Sequence, residues 1–299
     1  MRYLLLAVIS LSLRAAEPIL FIQMSDPQLG MFAKNENSTQ EQANLNFVVA
    51  SINRLKPKFV VVCGDLVNKT GDSEQIGFYK RIVQNVDAGI PVYNVPGNHD
   101  VGNQPTEQQL AGYRKAFGKD YYTFDAGSIR GIVLDSSLIR SPENAPEEAA
   151  SQEKWLTNEL IRARREHVED LLVFQHISYF LKDPQEPDQY FNIPVATRRR
   201  YLQLFHEYGV KYIFAGHYHR NEYGRDGEIE MITTAAVGMP LGRNQSGFRI
   251  VRLAQDGMQN RYYELGSVPH VVDAGGALPE WPTGVEQKVL PPAFGPKRR

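Results

Sequence analysis

Short apolar runs typical of buried strands alternate with segments of helical periodicity along most of this chain. Aliphatic residues are dense at 19–24, 59–63 and 91–95, and between these runs apolar residues recur at helical spacing over 42–55 and 74–86. This alternation is typical of βαβ units, in which parallel strands form a sheet that helices cover. The pattern therefore predicts an α/β fold.

The second half of the chain repeats this pattern and then changes. From residue 222 onward, short strand patterns are separated by glycine-containing turns, which favour antiparallel hairpins. The further predicted elements are helices at 106–117, 147–165 and 197–208 and strands at 121–124, 131–134, 171–174, 212–214, 229–233, 248–253 and 260–264. The buried face of the helix at 147–165 is predicted to carry Trp155, Leu156, Leu160 and Ile161. We therefore predict a four-layer α/β/β/α sandwich, in which two mixed sheets pack face to face with helices outside.

The composition is that of a globular protein, with 299 residues of which 42% are hydrophobic and 22% are charged. These values exclude a disordered chain and a polytopic membrane protein. Because 33 basic residues balance 34 acidic ones, we expect no nucleic-acid partner. The single cysteine, Cys63, excludes an internal disulfide and a zinc site built from cysteines.

A single domain is predicted over residues 17–268, and the segments before and after it differ from it in composition. Arg2 precedes an apolar run at 4–13 and then Ala15-Ala16, a pattern typical of a secretory signal peptide over residues 1–16. It predicts an exported protein, periplasmic or extracellular, without stable membrane insertion after the leader is cleaved. The alternatives are an N-terminal helix packed on the domain and an uncleaved anchor. Residues 269–299 are rich in proline and glycine and are predicted to form an irregular tail.

Five polar segments directly follow apolar runs of the predicted sheets. They are Ser25-Asp26-Pro27-Gln28, Gly64-Asp65-Leu66-Val67-Asn68, Gly97-Asn98-His99-Asp100, Gln175-His176 and Gly216-His217-Tyr218-His219. Ligands of open α/β sheets bind beyond the carboxyl ends of the strands, so these segments are expected to converge. In the last segment, both imidazoles face one side of the sheet if the strand remains extended through Tyr218.

The side chains of these segments form a donor set of oxygen and nitrogen atoms without a thiolate. The set comprises Asp26, Gln28, Asp65, Asn98, His176, His217 and His219. It suits a pair of divalent Mn, Fe or Zn ions. Asp65 can place one carboxylate oxygen on each ion, and two ions ~3.5–4 Å apart stabilise an in-line phosphoryl displacement. The segments therefore predict a dinuclear site that hydrolyses phosphate esters.

The five segments, in this order, resemble the motifs of the calcineurin-like metallophosphoesterase superfamily. The resemblance implies the fold of the metallo-dependent phosphatases, with a first ion on Asp26, Asp65 and His219 and a second ion on Asp65, Asn98, His176 and His217. It also implies that His99 is the acid that protonates the leaving oxygen and that Asp100 orients His99.

Gln28 stands where the superfamily usually has a histidine ligand. An amide oxygen is a weaker donor to a transition metal than an imidazole nitrogen, so Gln28 is either a ligand of a weak first site or a bystander beside it. Asn68 is predicted to lie next to the ligands rather than among them. Arg220 and Arg243 are each either phosphate contacts or solvated side chains.

The similarity extends over residues 24–265 to a branch of the superfamily that contains serine/threonine phosphatases, and it includes the segment Tyr190-Phe191-Asn192. It implies a phosphomonoesterase whose substrate is a phosphoester. The alternatives are a phosphodiesterase that acts on nucleotides or lipid head groups, and a non-catalytic phosphate-binding protein with the same fold.

Overall fold

In this computed structural model, which describes residues 17–280, eleven strands form two sheets that pack face to face. The first sheet has the spatial order β11 (Gly257–Glu264), β10 (Gly247–Ala254), β1 (Ile19–Met24), β2 (Val60–Cys63) and β3 (Val92–Val95). The second has the order β4 (Tyr122–Ala126), β5 (Ile129–Val133), β6 (Asp170–Phe174), β7 (Tyr212–Ala215), β9 (Ile229–Thr233) and β8 (Glu222–Asp226).

Both sheets are mixed. Strands β1, β2 and β3 run parallel, and β10 and β11 extend that sheet with antiparallel pairs. In the second sheet β5, β6, β7 and β9 run parallel, while β4 and β8 are antiparallel edge strands. The carboxyl ends of the parallel strands are where an α/β sheet places its site.

Helices cover the outer face of each sheet. They are α1 (Thr39–Leu55), α2 (Ser73–Val83), α3 (Asn98–Val101), α4 (Glu107–Phe117), α5 (Ser136–Arg140), α6 (Pro146–Arg165) and α7 (Val195–Tyr208). Residues of α1, α2 and α4 share an apolar core with the first sheet, and residues of α5, α6 and α7 share another with the second sheet. The four-layer α/β/β/α architecture predicted from the sequence is confirmed.

A cluster of phenylalanines holds the two sheets together. Phe21 and Phe59 of the first sheet stack with centroids 4.7 Å apart, and Phe174 and Phe214 of the second stack at 5.4 Å. The Phe21 ring also meets the Phe214 ring edge-on at 5.7 Å, across the gap between the sheets. Burial of each such ring contributes roughly 1.5–3 kcal/mol, so the strand ends of both sheets are held at fixed positions relative to each other.

The predicted buried face of α6 is wrong at one position. Leu156 and Leu160 are buried as expected, but Ile161 is 46% exposed, and Gln152 turns inward instead. Gln152 is satisfied there because it exchanges two hydrogen bonds with the backbone of Asp135. A polar residue does not fit an apolar pattern, so helical periodicity does not reveal that Gln152 is buried.

Residues 269–280, the described part of the predicted tail, contain no helix or strand and lie against the first sheet. Leu278 is buried there, the Tyr263 hydroxyl donates to the Pro279 carbonyl at 2.7 Å, and Arg252 Nε donates to the Ala274 carbonyl at 2.8 Å. The predicted leader at 1–16 and the rest of the tail lie outside the described residues. Within the described residues, no helix is both long and apolar enough to cross a membrane.

Candidate metal centre

The carboxyl ends of β1, β2, β3, β6 and β7 bring the predicted metal ligands to one edge of the sandwich. All seven side chains are buried, namely those of Asp26, Gln28, Asp65, Asn98, His176, His217 and His219. Burial of so many polar groups is unfavourable unless they are hydrogen-bonded, paired or bound to a metal. The structure thus brings six of these side chains together, as the sequence predicts, and Gln28 lies next to them, because its backbone amide donates to the Asp65 carbonyl at 2.8 Å.

The ligand atoms form two groups that share one carboxylate. Those of Asp26, Asp65 and His219 lie within 4.8 Å of one another, as do those of Asp65, His176 and His217. Asp26 Oδ1 lies 3.2 Å from His219 Nε2, and Asp65 Oδ2 lies 3.3 Å from His176 Nε2. Because Asp65 belongs to both groups, it can bridge two cations.

Asn98 extends the second of these groups. It is the first residue of α3, and its Oδ1 lies 3.0 Å from His176 Nε2. Helix α3 is a single turn that the sequence analysis did not anticipate. It turns the chain directly after β3, so the Asn98 amide faces the centre.

Strained backbone aims the ligands at the centre. Five of these residues have a left-handed backbone with positive φ: Asp26 (51°), Gln28 (39°), Asp65 (51°), His217 (65°) and His219 (54°). Residues other than glycine rarely adopt this conformation, and such strain is concentrated at functional sites. The sharp turns let a side chain at the end of a strand point along the sheet edge rather than to one face.

The His-x-His segment therefore does not reach the centre as a strand. A strand that continued through Tyr218 would place His217 and His219 on one side, but β7 ends at Ala215 and both histidines have positive φ. The Tyr218 amide donates to the Gly216 carbonyl at 2.7 Å, which closes a tight turn between them. Turn geometry, rather than the twofold repeat of a strand, brings the two imidazoles together.

Two glycines permit the strand ends to approach each other. A Cβ atom at Gly97 would overlap the backbone nitrogen of Asp65, and one at Gly216 would overlap the Ser25 hydroxyl. Any side chain at these positions would push the ligand segments apart. The glycines of the Gly-Asn-His and Gly-His segments are thus required by close contact.

Backbone carbonyls fix the rotation of the three imidazoles. Nδ1 of His176 donates to the Cys63 carbonyl at 2.8 Å, and Nδ1 of His219 donates to the Met239 carbonyl at 2.6 Å, so Nε2 of each ring faces the carboxylates. His217 has the opposite arrangement, because its Nε2 lies 3.2 Å from the Tyr190 carbonyl and leaves Nδ1 for the centre. Such support orients metal-binding histidines and sets their tautomers.

Two buried oxygens of the candidate ligands have no hydrogen-bond donor among the described residues. They are Oδ1 of Asp26 and Oε1 of Gln28. The other end of the Gln28 amide is satisfied, because Nε2 donates to Asn68 Oδ1 at 3.1 Å. A buried oxygen without a donor is unfavourable unless a cation is bound beside it. Together with the thiolate-free donor set, these oxygens show that the residues fit divalent cations.

The carboxylates of the centre are held ionised. Burial opposes the charge on Asp65, but His176 and neighbouring imidazoles outweigh burial and lower the pKa of this carboxyl well below its usual value. Burial likewise opposes the charge on His176, yet Asp65 and Asp26 raise its pKa to about 10. Burial and the adjacent His176 lower the pKa of His217 to about 3. Anionic carboxylates and the neutral His217 imidazole are protonation states that bind cations, and a cation bound at His176 would displace the proton that Asp65 and Asp26 hold on that ring.

His99 lies beside the centre with its ring fixed by a backbone group. Its Nδ1 donates to the Asn68 carbonyl at 2.7 Å, and its backbone amide donates to Asp65 Oδ1 at 2.8 Å. With Nδ1 occupied, Nε2 is the nitrogen that can exchange a proton with a substrate. Asn68 thus lies next to the ligands, as predicted, and its carbonyl is a contact that residue type could not reveal.

The implied orientation of His99 by Asp100 differs from the hydrogen bonds of the structure. The Asp100 carboxylate accepts from the backbone amides of Gly97, Leu66 and Val67 at 2.8, 3.0 and 3.2 Å. It therefore clamps the segment after β2 to the start of α3, whereas the Asn68 carbonyl orients the His99 ring. Burial and the charge of Asp65 raise the pKa of Asp100 to about 8.

Sequence reasoning missed the role of one aromatic side chain. Tyr190 places its hydroxyl 3.4 Å from Asn98 Nδ2 and its ring 4.9 Å from that of His217, yet 48% of the side chain is exposed. Tyr190 lies on the loop between β6 and α7, far from the strand-end motifs, and the sequence signal for it is the family resemblance of the segment Tyr190-Phe191-Asn192.

The sequence profile of calcineurin-like phosphoesterases matches residues 19–221, more than half of the chain. The chain belongs to the calcineurin-like phosphoesterase family. The matched range contains all seven candidate ligands and His99, and the resemblance noted in the sequence is confirmed. The chain is thus a metallophosphoesterase that hydrolyses phosphate esters.

The alignments with similar known proteins cover most of this chain. The serine/threonine-protein phosphatase CPPED1 of Homo sapiens is 36% identical over 83% of this chain and 84% of its own, and that of Danio rerio is 36% identical over 83% and 85%. A dimetal phosphatase structure from Danio rerio superposes with a TM-score of 0.60 at 17% identity, covering 83% of this chain and 96% of that one. This structural likeness concerns the fold.

Proposed function

We propose that this enzyme is a phosphomonoesterase that removes phosphate from serine or threonine residues of proteins. Two divalent ions of Mn, Fe or Zn would be held in two sites: the first by Asp26, Gln28, Asp65 and His219, and the second by Asp65, Asn98, His176 and His217. The observation that carries the proposal is the pair of ligand groups that share Asp65. The substrate class follows the printed name of the relatives, serine/threonine-protein phosphatase.

Bound divalent ions at such a centre neutralise the charge of the phosphoryl group and lower the pKa of water. The protein's own task is to hold the ester in line and to move a proton. Nδ1 of His99 stays on the Asn68 carbonyl, and Nε2 delivers a proton to the ester oxygen that leaves. A water oxygen forms the new bond to phosphorus as the bond to that ester oxygen breaks, and the water loses a proton to solvent. The products are an alcohol and inorganic phosphate, and solvent returns a proton to His99.

The reaction proceeds without a covalent enzyme intermediate on sulfur. The chain's single thiol, Cys63, is buried behind the centre, and burial raises its pKa to about 12. A protonated, buried thiol is a poor nucleophile. Cys63 instead contributes its carbonyl, which fixes His176.

Metal analysis combined with three substrates tests the proposal. Protein purified and then supplied with Mn²⁺ is assayed on para-nitrophenyl phosphate, its bis ester and a phosphoserine peptide, with metal content measured on the same samples. We expect two ions per chain and turnover of both monoesters above that of the diester. A faster diester reaction would favour the phosphodiesterase, and bound metal without any turnover would favour the phosphate-binding protein.

A further inference from the structure

Three aromatic rings form a continuous row beside the candidate metal centre. The Tyr190 and Phe191 rings lie 5.1 Å apart, and Phe191 and Tyr218 lie 5.0 Å apart. Both Tyr190 and Phe191 also contact the His217 ring, at 4.9 and 5.5 Å. We call Tyr190, Phe191 and Tyr218 the aromatic row.

A guanidinium group lies at each end of the aromatic row. Arg140, the last residue of α5, lies 5.6 Å from the centre of the Tyr190 ring, and Arg220 lies 5.2 Å from that of Tyr218. Within residues 17–280, neither arginine has a carboxylate at ion-pair distance. Arg140 donates from Nε to the Asn192 carbonyl at 3.4 Å and Arg220 from Nη1 to the Tyr218 hydroxyl at 3.4 Å, so each guanidinium retains free N–H donors.

A buried arginine holds the loop that carries Tyr190 and Phe191. Arg198 of α7 is fully buried and donates four hydrogen bonds to the carbonyls of Pro184, Glu186 and Ile193, at 2.9 to 3.1 Å. The Glu186 carboxylate in turn accepts from Asn192 Nδ2 at 2.8 Å. These hydrogen bonds hold the loop of Tyr190 and Phe191 in place before substrate arrives, which lowers the entropy cost of binding.

The geometry of the row suits a peptide better than stacked bases. Consecutive rings are inclined at 78° and 71°, so they offer no parallel faces on which successive bases could stack. Inclined rings do pack against peptide backbone and aliphatic side chains. The two guanidinium groups stand at opposite ends of the row, where each can bind a separate carboxylate bidentately.

We propose that the aromatic row binds the peptide on both sides of a phosphorylated residue, and that Arg140 and Arg220 select acidic side chains in that peptide. The proposal rests on the phosphoprotein phosphatase function proposed above and specifies its substrate. Arg140 and Arg220 are specificity residues, because they contact the substrate outside the reacting phosphate.

Matched phosphoserine peptides test the aromatic row. Enzyme loaded with Mn²⁺ is assayed on peptides of equal length in which the phosphoserine is flanked on both sides by glutamate, alanine or lysine. We expect kcat/KM about tenfold higher for the glutamate than for the alanine peptide, since exposed ion pairs each contribute a few-fold. In the Arg140→Gln and Arg220→Gln double variant this ratio falls to about one. Arg165→Gln, at the exposed end of α6, is the matched control and keeps the wild-type ratio.

Binding of the same peptides, read by fluorescence anisotropy, separates this proposal from the proposed function. Charge-dependent binding without turnover overturns the phosphatase function and leaves the row as a peptide-binding surface. Turnover at equal rates on all three peptides overturns the proposal for the aromatic row, as does a double variant that retains the preference for glutamate. A kcat/KM on a 5′-nucleotide above that on the glutamate peptide also overturns it.

Discussion

Gln28 and Asn68 are joined by a hydrogen bond that engages the Gln28 amide nitrogen and leaves its carbonyl oxygen without a donor among the described residues. Nε2 of Gln28 donates to Asn68 Oδ1 at 3.1 Å, and Oε1 of Gln28 is buried. The backbone carbonyl of Asn68 meanwhile fixes the His99 ring at 2.7 Å. One residue thus supports both a proposed ligand of the first ion and the proposed acid.

Replacement of Gln28 by histidine should strengthen the first metal site. An imidazole nitrogen is a better donor to a transition metal than an amide oxygen, so we expect about tenfold or greater retention of the first ion, since even groups that only support a ligand affect affinity 10–100-fold. Metal stoichiometry after dialysis against a mild chelator measures this. Gln185→His adds an imidazole at an exposed position and serves as control. Equal stoichiometry in wild type and Gln28→His would show that Gln28 is a bystander.

Asp65→Asn should remove most of the activity. The Asp65 carboxylate belongs to both ligand groups, and an amide cannot supply a negative charge to two cations. We expect kcat/KM on para-nitrophenyl phosphate to fall more than about 100-fold, since loss of a residue that only supports a ligand already costs about 10–100-fold. Asp87→Asn, at an exposed position after α2, is the control. Retention of both ions and of activity in Asp65→Asn would exclude the bridging role.

His99→Ala should slow esters with poor leaving groups more than those with good ones. If His99 donates the proton to the leaving oxygen, alkyl phosphates lose about 10²–10⁴-fold in kcat, because acid catalysis contributes that much. A nitrophenolate leaves without a proton, so its ester loses far less. A series of aryl and alkyl phosphates gives the dependence of log kcat on leaving-group pKa. An unchanged slope in the variant would remove His99 from the acid role.

The strand-end motifs could be predicted because each feature has a local cause. Apolar runs predict β1, β2 and β3, and polar residues directly after them must meet at one sheet edge. The contacts that the sequence did not reveal are long-range or carried by the backbone. No pattern shows that the Asn68 carbonyl holds His99, that Tyr190 reaches Asn98, or that the His217 backbone is left-handed.

Asp135 should make stability depend on pH below neutrality. Burial raises the pKa of this carboxyl to about 7. Between its ordinary value near 4 and pH 7, the folded state therefore holds a proton that the unfolded state has released. The free energy of unfolding then decreases as pH rises through this range, by at most about 4 kcal/mol.

Asp135→Asn tests this dependence, because asparagine resembles the protonated carboxyl. The amide oxygen can keep the cap of α5, where Asp135 Oδ1 accepts from the Leu138 amide at 3.0 Å. Urea unfolding of wild type and variant is measured at pH 5 and pH 8 with the same metal. The free energy of unfolding of the variant, relative to that of wild type, should be higher at pH 8 than at pH 5. Parallel pH profiles of the two proteins would contradict the assigned pKa.

Arg198→Met should loosen the loop that carries Tyr190. The substitution removes four buried hydrogen bonds and leaves the carbonyls of Pro184, Glu186 and Ile193 without donors, each at a cost of about 1–3 kcal/mol. Because those carbonyls lie in one segment, the substitution should destabilise residues 182–194 more than the two sheets. We expect faster amide hydrogen exchange in this segment and a higher KM for phosphopeptides. Arg200→Met, an exposed neighbour on α7 whose ion pair with Glu153 lies outside this loop, should leave exchange of residues 182–194 unchanged. Uniformly faster exchange across both sheets would show that Arg198 supports the whole fold rather than the loop.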